Sequence, residues 1–192
     1  MGLELYNSKL ENQLIRACIE KDGRAQRAMY EKYAPHMYAL CLRYVKEASD
    51  AEDVLITGFM KVFDKMHTYS GQGSLGGWIR RIMINESLGY LRRNKTMYLE
   101  VEVEAADRDP NWQLVNDHLQ TEDLLNMVSE LPMGYRTVFN LYAIEGYSHK
   151  EISKMLGISE STSKSQLSRA RGLLQQKLLE SEQEIKRKIT KS

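Results

Sequence analysis

The stretch from Ser148 to Leu174 reads SHKEISKMLGISESTSKSQLSRARGLL, and the fold of the C-terminal part turns on it. Ser148, followed three residues on by Glu151, forms a capping box that opens a short helix. Ile152, Met155 and Leu156 give that helix one apolar side. Gly157 supplies a turn and Ile158 fills the corner. Ser159 caps a second helix, with Glu160 in its first turn, where a carboxylate suits the helix dipole. Two short helices joined this tightly make a helix-turn-helix. Just upstream, Pro132 is expected in the first turn of a helix bearing Val138, Leu141 and Tyr142, which ends at Glu145-Gly146 with glycine as its C-terminal cap.

The second helix of the pair carries Ser159, Ser161, Ser163, Ser165 and Ser168. Each internal serine weakens a helix by roughly 0.5 kcal/mol relative to alanine, because its hydroxyl competes for backbone partners. At about 3.6 residues per turn, Ser163, Leu167, Ala170 and Leu174 share one face, while Ser161, Lys164, Ser165 and Ser168 share another. Ser163 is expected to bond back to the Ser159 carbonyl. The second face is small, polar and positive. Short hydroxyl side chains let a helix approach a surface and reach base edges, and Lys164, Arg169 and Arg171 can reach phosphates. A solvated face and a protein-binding αα-hairpin share this pattern and stay open on these residues alone.

The remainder of the chain sets the context. It has 192 residues, a formal charge of +1, 28% charged and 42% apolar residues, and no alternating strand pattern, which implies an all-α protein. No apolar run approaches the roughly 18 residues of a membrane span, and the start lacks a signal-peptide core, so a cytoplasmic location without membrane insertion is expected. Cys18 and Cys41 suit reduced buried thiols, and the four histidines make no ligand spacing with them, so neither metal nor cofactor is expected. Trp78 to Lys95 holds five basic residues against Glu86, and Ser148 to Leu178 six against two glutamates. Between these basic modules, Glu100 to Asp123 has eight acidic residues against Arg108, the composition of a flexible linker.

In the N-terminal module, Tyr30, Tyr33, Met37, Cys41 and Tyr44 fall at helical spacing, as do Ala51, Val54, Leu55, Phe59, Val62, Phe63 and Met66. Both sets read as core. Asp50 is expected to cap the second of these helices, leaving Glu52 and Asp53 on its outer side. A glycine-rich loop, YSGQGSLGG from Tyr69, then leads into a helix with Trp78, Ile79, Ile82 and Met83 inward and Arg80, Arg81, Arg92 and Arg93 on its polar side. No GxxxxGK[ST] occurs, so this is no P-loop; a polar loop beside a basic aromatic helix suits unstacked bases.

Together, DAEDV from Asp50, GSLGGWIRRIMIN from Gly73, YLRR from Tyr90 and SKSQLSRAR from Ser163 resemble the bacterial RNA polymerase sigma factors of the sigma-70 family, in particular the extracytoplasmic-function (ECF) subfamily. The resemblance covers Arg24 to Lys95 and Glu122 to Leu178. It implies two small helical domains: a sigma region 2-like bundle over residues 1–95 and a sigma region 4-like helix-turn-helix over 122–180. An acidic linker at 96–121 would join them, with a charged tail at 181–192. It further implies a promoter-specificity subunit, not an enzyme, with core RNA polymerase and promoter DNA as partners and an anti-sigma factor as an optional one. Polymerase would be met by Glu52, Asp53 and Ile56. The minus-ten element would be bound and melted by Ser70, Gln72, Ser74, Arg80, Arg81, Asn85, Arg92 and Arg93. The minus-thirty-five element would be read by Ser161, Lys164, Ser165 and Ser168, with Arg169 and Arg171 on phosphate. The chain departs from the family pattern where Ile56-Thr57 replace Gln-Glu, Gly89 a frequent aspartate and Ser163 a frequent valine. The alternatives are a stand-alone helix-turn-helix regulator with a helical sensing domain, and a helical hydrolase using Glu52, Asp53, Asp64 and His67.

Overall fold

The structure, a computed structural model, describes the backbone of residues 2–94 and 121–190 and the side chains of 10–94 and 124–181. All regular elements among the described residues are helical, the fold class the sequence implied. The chain divides into two compact units, Met1–Leu91 and Arg92–Ser192. The expected acidic linker lies outside the described residues apart from Thr121, which opens a helix.

In the first unit, α1 (Gly2–Ile19), α2 (Gly23–Val45) and α3 (Ala48–Lys65) are followed by a 3-10 turn (Met66–Thr68) and α4 (Leu75–Arg93). Asp22 caps α2, its carboxylate accepting from the backbone N–H groups of Arg24 at 2.7 Å and Ala25 at 3.2 Å. The capping role expected of Asp50 is not found. Lys46 ends α2 with φ of 65°, and the chain re-enters helix at once from an extended Glu47. Asp50 therefore stands inside the first turn of α3, where its charge suits the dipole without a capping bond.

The core of this unit is built from Met29, Leu40, Cys41 and Tyr44 of α2, Val54, Phe59 and Val62 of α3, and Leu75, Ile79, Met83 and Leu88 of α4, all almost fully buried. Tyr30 and Tyr33, expected in this core, lie at its edge. Tyr30 leans on the Phe59 ring at 4.8 Å, and the Tyr33 hydroxyl donates to Glu11 of α1 at 2.9 Å, because a phenol needs a polar partner at its tip. Ile82 and Trp78 are likewise only half-buried, while Ile84 is enclosed. Gly58 sets how closely α4 approaches α3: a Cβ there would stand 2.3 Å from the Met83 sulfur. A charged contact crosses this packing, the ion pair of Lys61 on α3 with Glu86 on α4, whose carboxylate is nearly buried.

In the second unit, α5 (Thr121–Ser129) and α6 (Met133–Phe139) precede a π-helical turn (Asn140–Ile144), then α7 (His149–Leu156) and α8 (Glu160–Thr190). Pro132 precedes α6 as its N-cap and does not sit in its first turn: its ψ of 144° is extended, and only its carbonyl joins the helix, accepting from Arg136 N at 2.9 Å. Val128, Leu131, Val138, Phe139, Leu141, Ile152, Leu156, Leu167, Ala170, Leu174 and Leu178 make the core. Arg136 is buried among them, with Nη1 donating to the Ser129 carbonyl at 3.0 Å, where a cation meets the exposed carbonyls ending α5. The helix begun at Met133 ends through the wide turn, Glu145 N donating to Asn140 O at 2.9 Å, and turns away at Gly146.

Candidate nucleic-acid and polymerase interfaces

The helix-turn-helix is built as its sequence dictates. Ser148 Oγ accepts from Glu151 N at 3.3 Å while Glu151 accepts from Ser148 N at 2.9 Å, closing the capping box. Gly157 ends α7 with φ of 70°, a left-handed conformation that costs a residue with a Cβ roughly 1 kcal/mol. Ser159 then caps α8, its hydroxyl accepting from Thr162 N at 2.9 Å.

On α8 the two faces separate as expected. Ser163, Leu167, Ala170 and Leu174 are buried; Ser161, Lys164 and Ser165 are exposed, and Ser168 lies half-buried at the edge. The exposed hydroxyls already have partners: Ser161 Oγ lies 2.7 Å from Ser159 Oγ, and Ser165 Oγ donates to the Thr162 carbonyl at 3.0 Å. Arg169 and Arg171 are less free than their positions suggested. Arg169 Nη1 donates to the Tyr135 hydroxyl at 3.2 Å, and the Arg171 guanidinium stands over the Tyr142 ring at 5.9 Å. Ser163 does not back-bond to Ser159 through its side chain; its hydroxyl meets His149 Nδ1 at 2.9 Å. The contacts of Tyr135, Tyr142 and His149 are not legible in the sequence, since they depend on which helix packs opposite.

In the first unit, the segment from Ser70 to Ser74 is exposed, with Gly71 and Gly73 at φ of 75° and 79°. It is organised by its own side chains. The Tyr69 hydroxyl donates to the Gly73 carbonyl at 2.8 Å, and the Tyr69 ring packs on Trp78 at 5.6 Å. Ser74 Oγ accepts from Gly77 N at 3.1 Å and so caps α4; Gln72 N reaches toward Ser70 Oγ at 3.4 Å. Gln72 thus projects from a loop with fixed ends. Along α4, Arg81, Asn85, Arg92 and Arg93 are exposed and Arg80 is half-buried.

Glu52, Asp53 and Thr57 lie exposed on the outer side of α3. Beside them Ile56 is 53% and Met60 67% exposed, an apolar surface that the sequence reading did not single out at Met60. A groove of about 460 Å³ runs between α2 and α3, lined in part by Tyr30, Pro35, Tyr38, Glu52 and Ile56. Of the residues named for a hydrolase, His67 has its Nδ1 3.0 Å from the Asp64 carbonyl at the end of α3, and among the described residues no group of three or more His, Cys, Asp or Glu could hold a metal ion. Both cysteines are buried, and burial raises their thiol pKa values, that of Cys41 to about 11.

Residues 29–96 match the Sigma-70 region 2 family and residues 121–174 match Sigma-70, region 4. Over 151 residues the chain is 30% identical to the ECF RNA polymerase sigma factor SigM of Bacillus subtilis, covering 74% of this chain and 88% of that protein. The chain belongs to the ECF sigma factors. A second member, SigE of Mycolicibacterium smegmatis, is 32% identical over 148 residues, covering 74% of this chain but only 57% of that longer protein. Among solved structures, the sigma factor RpoE of Bartonella quintana, in complex with the anti-sigma factor NepR, is similar at a TM-score of 0.49 and 22% identity, covering 79% of this chain and 95% of that one. Within this ECF sigma factor, no helix of the described residues is long and apolar enough to cross a membrane.

Proposed function

We propose that this ECF sigma factor directs core RNA polymerase to specific promoters and starts transcription there, by binding and without a catalytic step of its own. One observation carries the reading: a capped helix-turn-helix with an exposed serine and lysine face occurs in the same chain as a bundle bearing a tethered polar loop and a basic helix. A stand-alone regulator has no use for the second feature. Residues 1–95 serve polymerase binding and the minus-ten element, and 122–180 the minus-thirty-five element, with 96–121 as linker and 181–192 as tail. Glu52, Asp53 and Ile56 face the polymerase. Ser70, Gln72, Ser74, Arg80, Arg81, Asn85, Arg92 and Arg93 serve the melted strand. Ser161, Lys164, Ser165 and Ser168 face bases, and Arg169 and Arg171 exchange their tyrosine partners for phosphate. The protein works in the cytoplasm with the polymerase, and an anti-sigma factor is a partner this class admits.

The Ser148 to Leu178 segment has six Lys/Arg against two Glu, so the isolated chain makes few phosphate contacts and binds promoter DNA weakly. The test is reconstitution with core polymerase, followed by transcription from a promoter library. Promoter-selective transcripts that require both components are expected. Nanomolar, sequence-specific binding by the chain alone at physiological salt would instead establish the stand-alone regulator. Substituting Gln72 should impair promoter opening, read by permanganate, more than closed-complex formation, because a duplex hides the base that loop would hold.

A further inference from the structure

Ser163 sits on the buried stripe of α8, fully enclosed, where the neighbours along that stripe are Leu167, Ala170 and Leu174. A buried hydroxyl costs free energy unless it is paired, so its partner carries information. That partner is His149, the first residue of α7, whose Nδ1 lies 2.9 Å from Ser163 Oγ. The imidazole is stacked on Tyr142 of the π-helical turn, centroids 4.5 Å apart at 21°. The Tyr142 ring in turn lies beneath the Arg171 guanidinium. Four side chains thus link the π-helical turn, the start of α7 and two successive stretches of α8. They do so at the joint whose angle decides how the helix-turn-helix presents its outer face.

We propose that His149 is a positioning residue for promoter reading: held between the Ser163 hydroxyl and the Tyr142 ring, it fixes the recognition helix α8 on α7. The proposal rests on the sigma-factor reading given above. Its physical basis is geometric. Base readout needs side chains held to within about half an ångström, and the Ser163–His149 contact ties the start of α7 directly to α8 across their three-residue turn. Tyr142 stands within the wide turn, and its ring meets the imidazole.

The experiment uses the full chain with core polymerase. It measures discrimination between a preferred upstream element and singly substituted versions of it, by competition, for wild type, Ser163→Ala, His149→Phe, the double variant and His149→Asn. Phenylalanine keeps the stack and removes the hydrogen bond; asparagine places an amide near the position of Nδ1. Ser163→Ala favours the helix by propensity, so its effect cannot come from loss of helix. Each single removal should lower discrimination about fivefold, the worth of one buried hydrogen bond. The double variant should be no worse than either single, because both remove the same link. His149→Asn should restore most of the discrimination, and binding to core polymerase should be equal throughout. Single losses that multiply in the double variant, or His149→Asn no better than His149→Phe, overturn the proposal. So does unchanged discrimination accompanied by a lowered melting temperature, which marks a merely structural pair. A wild-type chain that gives no promoter discrimination with core polymerase would remove the sigma-factor reading itself, and this inference with it.

Discussion

The outer faces of α3 and α8 are both exposed and both lie on amphipathic helices, yet they are built on opposite principles. On α3, Ile56 and Met60 leave apolar surface open beside the carboxylates of Glu52 and Asp53. Such surface gains free energy from any cover that fits, roughly 25 cal/mol per Å² of apolar area removed from water. On α8 the exposed hydroxyls of Ser161 and Ser165 are already bonded within the helix, and Arg169 and Arg171 rest against tyrosines. Those groups gain little on binding, since each new contact replaces an old one. They lose much when the replacement is missing. On the proposed reading, the first face supplies affinity and the second discrimination.

The largest effect should therefore come from α3. Glu52→Lys combined with Asp53→Lys should lower affinity for core polymerase by more than about tenfold, because a surface matched to carboxylates meets like charge instead. Competition against a labelled wild-type chain measures this, and circular dichroism should show the fold intact, as both residues are exposed. Unchanged affinity would remove this face as the docking surface. Ile56→Gln with Thr57→Glu, which brings in the family pattern, asks whether the isoleucine already does the work of the amide. Affinity close to wild type is then expected.

A smaller effect is expected from a carboxylate buried in the first unit. Glu86 is 4% exposed and pairs with Lys61, which is itself half in solvent, so the pair is only partly desolvated. Lys61→Met keeps the aliphatic stem but takes the lysine cation away from the buried carboxylate, and should cost about 1–2 kcal/mol in urea unfolding. Glu86→Gln, which leaves no buried charge, should cost less. A Lys61→Met variant as stable as wild type would mean that the Lys61–Glu86 pair adds nothing to the packing of α4 on α3, where Met83 meets Gly58.

The second unit adds a pH term of definite sign. Burial foremost, then the nearby charges of Lys164 and Arg171, lower the pKa of His149 below its ordinary 6.5, with Glu160 opposing. The unfolded chain then binds the proton more tightly than the folded one. This contribution is fully present above pH 6.5 and is lost as pH falls from there through the lowered value. Thermal melts of wild type and His149→Asn between about pH 5 and 8 should diverge at the acid end, the wild type losing more. Parallel curves would show that His149 titrates as a free imidazole.

How much of this was legible depends on the range of each interaction. The capping box at Ser148, the turn at Gly157, the cap at Ser159 and the stripe of Leu167, Ala170 and Leu174 all rest on neighbours within about two turns, and sequence reading places them correctly. Asp50 shows the limit even at short range, because an acid in the first turn and an acid at the cap look alike until the preceding backbone is known. The partner of Ser163 was illegible for a stronger reason. A local carbonyl and a histidine 14 residues away were both within its chemistry, and only the packing of α7 on α8 selects between them. Lys61 and Glu86, 25 residues apart, are the same case. The resemblance begins at Arg24 and so says nothing of α1, although Ile15 and Cys18 bury its inner side.

The smallest effect is the one that separates reading from holding. Ser165→Ala removes an exposed hydroxyl that now donates to the Thr162 carbonyl. In a promoter complex that proton must leave the carbonyl for a base, so the net worth of the contact falls to the lower end of the roughly 1–3 kcal/mol range for base recognition. The preferred base at one upstream position should change while overall affinity barely moves. Arg171→Ala should do the reverse. Its guanidinium leaves the Tyr142 ring for a phosphate, a contact blind to sequence, so all promoters should weaken together and the salt dependence should flatten by about one counterion. Both alanines favour helix, so neither loss reports unfolding. A randomised upstream-element library, read at two salt concentrations, distinguishes the two signatures in one experiment. If Ser165→Ala leaves the ranking of upstream elements untouched, its hydroxyl never exchanges its Thr162 partner and the exposed face of α8 reads through Lys164 and Ser161 alone.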